Sequence, residues 1–189
     1  MLERSGSICK IGDMADVDIR PFKSRDDYER VLDYFFGADE TFLRGMGVDP
    51  AKLSTRESWL DRLLPDLHRD DRDKQTYYMS WFHDGTPIGH CNLNRIKYAQ
   101  EAYLHLHTWD QTFRKAGVGT ELVRRSLPRF IGKFALQRLY CEPYADNLAP
   151  NRVLTKLGFR LVKRYRTIPG IINFEQEVNQ YVIEREVLS

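Results

Sequence analysis

Two stretches hold residue types and spacings that can do chemistry. In "AYLHLHTW" (102–109), His105 and His107 alternate along a strand-like run, so both imidazoles fall on one face with Tyr103 and Trp109. An ordinary histidine, with a pKa of about 6.5, can take a proton near neutral pH, directly or through water. In "FRKAGVGTEL" (113–122), Gly117 and Gly119 follow Arg114 and Lys115 and lead into an amphipathic run. The first amides of a helix have no intrahelical partner, and the helix dipole attracts anions to that end. Residues without a Cβ let a phosphate come close to such amides. The same stretch also reads as an ordinary strand-to-helix turn with solvated basic side chains. It lacks the third glycine of a dinucleotide fingerprint and the Gly-Lys-Ser/Thr of a P-loop.

The elements that must position these residues follow from periodicity. Residues 16–22 ("DVDIRPF") form a short first strand. Tyr28, Val31, Leu32 and Phe35 recur at helical spacing, with Ser24 and Asp27 as the cap. Residues 37–53 read as a loop. Ser54 and Glu57 form a capping box before Leu60, Leu63, Leu64 and Leu67, a stripe that Pro65 kinks or shortens. Two β-rich runs meet at His83-Asp84-Gly85-Thr86, a hairpin signal, and 102–109 is a further strand. The glycine stretch opens a helix with Leu122, Val123, Leu127 and Phe130 on one side. "ALQRLYCEPY" is a strand, and "APNRVLTKLGF" a short helix with Pro150 at its first position and Gly158 at its end. Two closing strands flank a turn at 169–173. The order β-α-α-β-β-β-α-β-α-β-β implies a mixed α/β layer architecture, not an alternating doubly wound one.

At 189 residues the chain suits one domain, 16–189, behind a flexible tail at 1–15. With 29 basic residues against 27 acidic ones, bulk charge does not hold a nucleic acid. Cys9, Cys91 and Cys141 show no paired spacing, as for free thiols in a reducing compartment. No apolar run is long enough to span a bilayer and the N-terminus has no apolar signal core, so the expectation is a cytoplasmic protein without a membrane partner.

Arg114-x-x-Gly117-x-Gly119 after a strand resembles the acetyl-CoA pyrophosphate loop of the GNAT superfamily of N-acyltransferases. "DNLAPNRVLTKLGF" (146–159) is similar to that superfamily's later Asn-helix-Lys-x-Gly-Phe segment, and "CEPYADN" leading into "APNRVL" most resembles the RimJ/RimL-like branch. The resemblance covers residue 17 to the C-terminus. It implies an α/β (α+β-like) fold with a central, mostly antiparallel sheet, splayed at the acetyl-CoA site, and helices on both faces. It implies acetyl-CoA as cosubstrate, no metal, and a primary amine as acceptor, either a protein N-terminal α-amine or a small molecule.

By the same resemblance, Thr108, Trp109 and Asp110 lie beside the pantetheine arm, with an amide near Trp109 as oxyanion donor. Arg114 adds charge, and amides from Lys115 through Ala116, Gly117, Val118 and Gly119 to Thr120 hold the pyrophosphate. Asn147 meets the pantetheine, with Asn151 and Arg152 nearer the nucleotide end. Candidate bases are His105, His107 and Glu101. His105 falls in register with the second of two strand histidines of arylalkylamine N-acetyltransferases; His107 is offset, and Glu101 is one residue from its family register. The family's acidic tyrosine is replaced by Leu154, which leaves Tyr144 or a water for the leaving thiolate. That departure keeps open an acyl-CoA-binding module without turnover. A metal site at His105-x-His107 with His83, His90 or Cys91 is the remaining alternative. A homodimer through the strand pair after Arg160 is also compatible with the sequence.

Overall fold

The computed structural model describes residues 17–109, 111–114 and 117–188. Asp110, Lys115, Ala116 and the expected tail at 1–15 lie outside the described residues. One seven-stranded sheet runs through it in the order β1-β2-β3-β4-β5-β7-β6. The strands are β1 (Val17–Pro21), β2 (Tyr77–His83), β3 (Thr86–Lys97), β4 (Glu101–Thr108), β5 (Arg138–Cys141), β6 (Arg160–Thr167) and β7 (Gln176–Glu184). Every neighbouring pair is antiparallel except β4 and β5. The hairpin between β2 and β3 turns on Asp84 and Gly85, both at positive φ (48° and 71°), which a two-residue turn of this hand requires.

Helices cover both faces. On one side lie α1 (Arg25–Phe36), α2 (Glu40–Gly45), α3 (Arg56–Leu63) and α4 (Pro65–His68). Tyr28, Val31, Leu32 and Phe35 of α1 pack with Trp59, Leu60, Leu63 and the β2 residue Tyr78 in one core. On the other side, α5 (Val118–Phe134) and α6 (Leu148–Lys156) bury Leu122, Val123, Leu127, Phe130 and Leu154 against the sheet. Burying each such side chain contributes about 1.5–3 kcal/mol.

Several local expectations shift. The Asp27 carboxylate accepts from the Lys23 and Ser24 amides (2.9 and 3.2 Å), which starts α1 where the cap was read. The cap of α3 is Thr55, whose Oγ1 accepts from the Ser58 amide at 3.2 Å; Ser54, the expected cap, lies one residue outside. The stripe through Leu67 divides at Leu64 because Pro65 cannot donate to the preceding turn. The stretch 37–53 is not all loop: Asp39 caps α2 and Asp49 caps a 3-10 turn at Pro50–Lys52. Elements of one turn are too short to show a period. Pro150 is the third residue of α6 rather than its first, still within the turn that needs no amide partner. The last strand stops at Glu184, and Arg185–Leu188 is a 3-10 turn.

Candidate active site

The site begins with a parting of strands. β4 and β5 pair only at Glu101–Arg138, Ala102–Leu139 and Tyr103–Tyr140. β4 continues to Thr108, paired on its other side with β3 as far as Gly89. Past Tyr103, the edge of β4 that faces β5 has no strand partner among the described residues, and such an edge offers hydrogen bonds to an extended ligand.

A cavity opens on each face of the sheet at this fork. The larger, about 610 Å³, lies on the α1–α3 side and reaches Phe35, Trp59, His105, His107 and Glu142. The smaller, about 400 Å³, lies toward α5 and reaches Thr108, Gly117, Gly119, Thr120 and Val153. Met46, Leu106, His107, Asn147 and Pro150 line both, so the two spaces meet at the fork.

The smaller cavity leads to the N-terminus of α5, a 17-residue helix capped by Gly117 at φ 79°. That backbone conformation disfavours any residue with a Cβ. A Cβ built at Gly117 meets nothing within 4 Å, and one at Gly119 meets only Thr108 Oγ1 at 3.7 Å. The space above the first turn is open, and glycine supplies no capping side chain to the amides there. A phosphate-bearing ligand fits this cradle. Val118 is buried in the core, so only its backbone faces this question. Arg114 ends a 3-10 turn at Gln111–Arg114.

The larger cavity holds the histidines. His90 of β3 stands opposite His107 of β4, and Asn92 opposite His105. The His107 ring also meets Tyr34 and Phe35 at 5.6 and 5.3 Å between centroids. Burial pushes His105 down to about 4 and His107 to about 3, and His90 well below its ordinary value. The expectation of an imidazole titrating near neutral pH is therefore corrected: desolvation disfavours the charged ring. Among the described residues, the buried side-chain atoms without a hydrogen-bond partner are Trp59 Nε1, Asn94 Oδ1, His105 Nε2 and His107 Nδ1. All belong to residues lining this one cavity. Unpaired buried polar atoms are uncommon, and their concentration at one place marks a ligand site.

Other expected residues are placed differently. The Trp109 amide donates to Ile88 O at 2.8 Å, so it is not a free oxyanion donor, and its indole donates to His90 Nδ1 at 2.9 Å. Glu101 sits at the closed end of the fork, bound to Lys97 (2.7 Å) and near Arg138 (3.5 Å), and lines neither cavity. Asn151 is turned inward rather than toward a nucleotide: its Nδ2 donates to Tyr144 O and Asn147 O, and its Oδ1 accepts from Asn179. Arg152 is exposed on α6. Tyr144 lines the larger cavity, but the Asp146 carboxylate accepts from its hydroxyl and holds its pKa above the ordinary value. Leu154, at the expected tyrosine position, is fully buried. Cys91 and Cys141 are free, and burial pushes both thiols up to about 12.

The sequence reading missed Glu142, Asn94 and Trp59, and named His90 only in the metal-site alternative. Asn92 and Asn94 alternate in "CNLN" as His105 and His107 do in "HLH", and that shared period was the available signal. Glu142 had a weaker one, a charge directly after a buried strand. No group of three or more His, Cys, Asp or Glu among the described residues could hold a metal, and no helix there is long and apolar enough to cross a membrane.

Residues 16–160 match the family described as Acetyltransferase (GNAT) domain. No curated protein matches the sequence. Among solved structures, RimL, a ribosomal L7/L12 alpha-N-protein acetyltransferase in complex with coenzyme A, is 15% identical, with 93% of this chain and 97% of that one covered and a TM-score of 0.73. Spermidine N-acetyltransferase from Vibrio cholerae, in complex with CoA and spermine, is 15% identical over 92% and 98%, with a TM-score of 0.74. Mycobacterium smegmatis RimJ, in complex with CoA-disulfide, is 15% identical over 90% and 82%, with a TM-score of 0.71. At such identities the likeness is one of fold. The family match spans most of the chain, and with the forked sheet and the open helix N-terminus it makes this protein a member of the GNAT acetyltransferases, which transfer an acetyl group from acetyl-CoA to an amine.

Proposed function

We propose that the acceptor is a small primary amine held in the larger cavity, with acetyl-CoA entering from the smaller one. The observation that carries this reading is the meeting of the two cavities at the fork, lined from both sides by His107 and Asn147. Amides of Val118, Gly119 and Thr120 would hold the pyrophosphate, Arg114 and Lys115 would add charge, and Thr108 and Asn147 would border the pantetheine. Bound there, acetyl-CoA supplies an activated acyl carbon and a thiolate leaving group.

A small acceptor is favoured over a polypeptide because chain closes over the cavity. The turn between β6 and β7 contributes Pro169–Asn173 to its lining, and it is braced to residues 47–52. Asp49 N donates to Ile172 O (2.8 Å), Lys52 Nζ to Asn173 O (2.8 Å), and both Asn173 Nδ2 and Gln176 Nε2 to Gly47 O (2.8 Å each). Arg95 adds a bond to Pro169 O at 2.6 Å. A polypeptide leaving the cavity on this side would have to break that brace.

His105 takes the proton from the acceptor nitrogen. Its ring is neutral across the working range because burial holds its pKa at about 4. So weak a base accepts a proton only as the new C–N bond forms, when the nitrogen has become far more acidic. His107, stacked among aromatic rings, shapes the wall between the cavities. A thiol pKa of about 8.5 lets the thiolate depart without a strong acid, consistent with Leu154 in place of a tyrosine.

The test is thiol release from acetyl-CoA with small primary amines and with short peptides of free N-terminus. Turnover of small amines, with peptides at least about a hundredfold poorer in kcat/KM, is expected. Equal use of both would remove the small-acceptor reading, and coenzyme A binding without release on any amine would favour a binding module.

A further inference from the structure

Glu142 is a charged side chain, 7% exposed, that follows directly on β5 and has no part in the chemistry assigned so far. Tyr103 and Tyr140 are the last paired residues of β4 and β5, and their rings stack at 5.3 Å. Two residues further along each parallel strand stand His105 and Glu142, and both line the larger cavity at the opening fork. Asn94, which pairs with Tyr103 on β3, adjoins them on the same face.

These groups share one property. Glu142 Oε1 already accepts from Tyr165 Oη (2.5 Å) and Gln180 Nε2 (2.6 Å). Glu142 Oε2 has no hydrogen-bond donor in range among the described residues; Arg95 Nη1 stands 3.9 Å away, and that guanidinium also lies over the Tyr103 ring. Asn94 Oδ1 and His105 Nε2 are unpartnered as well. Two oxygen acceptors without donors therefore border the cavity where the strands separate, and His105 Nε2 is a third acceptor in the tautomer that carries its proton on Nδ1. A primary ammonium carries three donors and one positive charge.

We propose that Glu142 is the acceptor-binding residue of this enzyme, holding the substrate's primary ammonium at the fork together with Asn94 Oδ1 and His105 Nε2. This rests on the reading of the larger cavity as the amine site. The carboxylate supplies the charge that a buried cation requires, and the three acceptors set a preference for unsubstituted nitrogen. The ammonium is the bound form; it gives one proton to solvent to free the lone pair that attacks the thioester carbonyl, and His105 takes the second proton as the C–N bond forms and the thiolate leaves. An N-methyl group would remove one donor and place a methyl against polar atoms. Tyr165 and Gln180 fix the carboxylate so that its second oxygen stays turned to the ligand.

The experiment is calorimetric titration of the full-length protein with phenethylamine, N-methylphenethylamine and the neutral 2-phenylethanol, each with and without coenzyme A. Wild type is expected to bind phenethylamine at least about tenfold more tightly than either analogue. Glu142→Gln preserves acceptance from Tyr165 and Gln180 but removes the charge, and should weaken phenethylamine by about tenfold or more while leaving the alcohol and coenzyme A unchanged. Asn94→Leu should narrow the gap between the primary and the methylated amine. Equal binding of amine and alcohol, no binding of the amine, or Glu142→Gln binding the amine as wild type does would each overturn the proposal. Coenzyme A affinity is read in the same titrations, so a failure of the acetyl-CoA cradle shows separately.

Discussion

His90 and His107 face each other across the β3–β4 pair with ring centroids 4.7 Å apart and planes 14° from parallel. Burial holds both rings neutral; His107 and His105 add to it at His90, and His105 adds to it at His107. Trp109 locks the pair from one side through its indole bond to His90 Nδ1. The result is a rigid, uncharged wall beside the fork.

The first prediction concerns pH. His105 and His107 have folded pKa values of about 4 and about 3, and His90 is also lowered, against an ordinary value near 6.5. Between these limits the unfolded chain binds protons that the folded chain does not, so stability falls as pH drops from about 6.5 toward 4. Each histidine contributes a slope of about 1.4 kcal/mol per pH unit where it is charged only when unfolded. Urea unfolding followed across this range should show the loss, and His107→Phe should reduce the slope by about one proton. For the same reason kcat/KM should have no inflection near pH 6.5; an inflection there that vanishes in His105→Ala would contradict the depressed value.

His105→Ala should lower kcat by about a hundredfold or more while leaving the KM for acetyl-CoA within about twofold. Near-normal turnover would move the proton acceptor to Glu142 or to water. A loss confined to the KM for the amine would make His105 a binding group only.

Gly117→Val strains a backbone at φ 79° and places a side chain in the open space above α5. The KM for acetyl-CoA should rise by at least about tenfold, with about 1–2 kcal/mol lost in stability from the backbone alone. Gly132→Ala in the last turn of the same helix, where an added Cβ meets nothing within 4 Å, is the control. It should gain about 0.5–1 kcal/mol without changing that KM.

Gly47→Ala tests the brace over the acceptor cavity. Gly47 stands at φ 83°, and a Cβ there would collide with Gln176 Oε1. We expect a loss of about 2 kcal/mol in unfolding free energy together with a higher KM for the amine and an unchanged KM for acetyl-CoA. A variant as stable as wild type would show that Gln176 moves away without cost.

Much of the frame is legible along the chain because its causes are local. A helix face needs only apolar residues at the right spacing, as in Tyr28–Phe35 and Leu122–Phe130, and a two-residue hairpin needs only Asp84-Gly85. Gly117 and Gly119 likewise mark the start of such a helix, where the proposed anion cradle lies. The short elements at Glu40–Gly45 and Pro50–Lys52 escape notice because one turn has no period.

What the order of residues determined by itself was therefore the longer elements, the family they form, and the helix end proposed to receive acetyl-CoA. Tertiary structure alone decided the acceptor side. It brought Glu142 and His105 to one cavity beyond the point at which two strands stop pairing, and it joined Asn173 to Gly47 across 126 positions of sequence. It also occupied Asn151 and the Trp109 amide with internal bonds and stripped the histidines of their ordinary basicity. Periodicity reports which face a residue takes, whereas charge state and hydrogen-bond availability depend on what is brought against that face, and burial is a property of the folded whole.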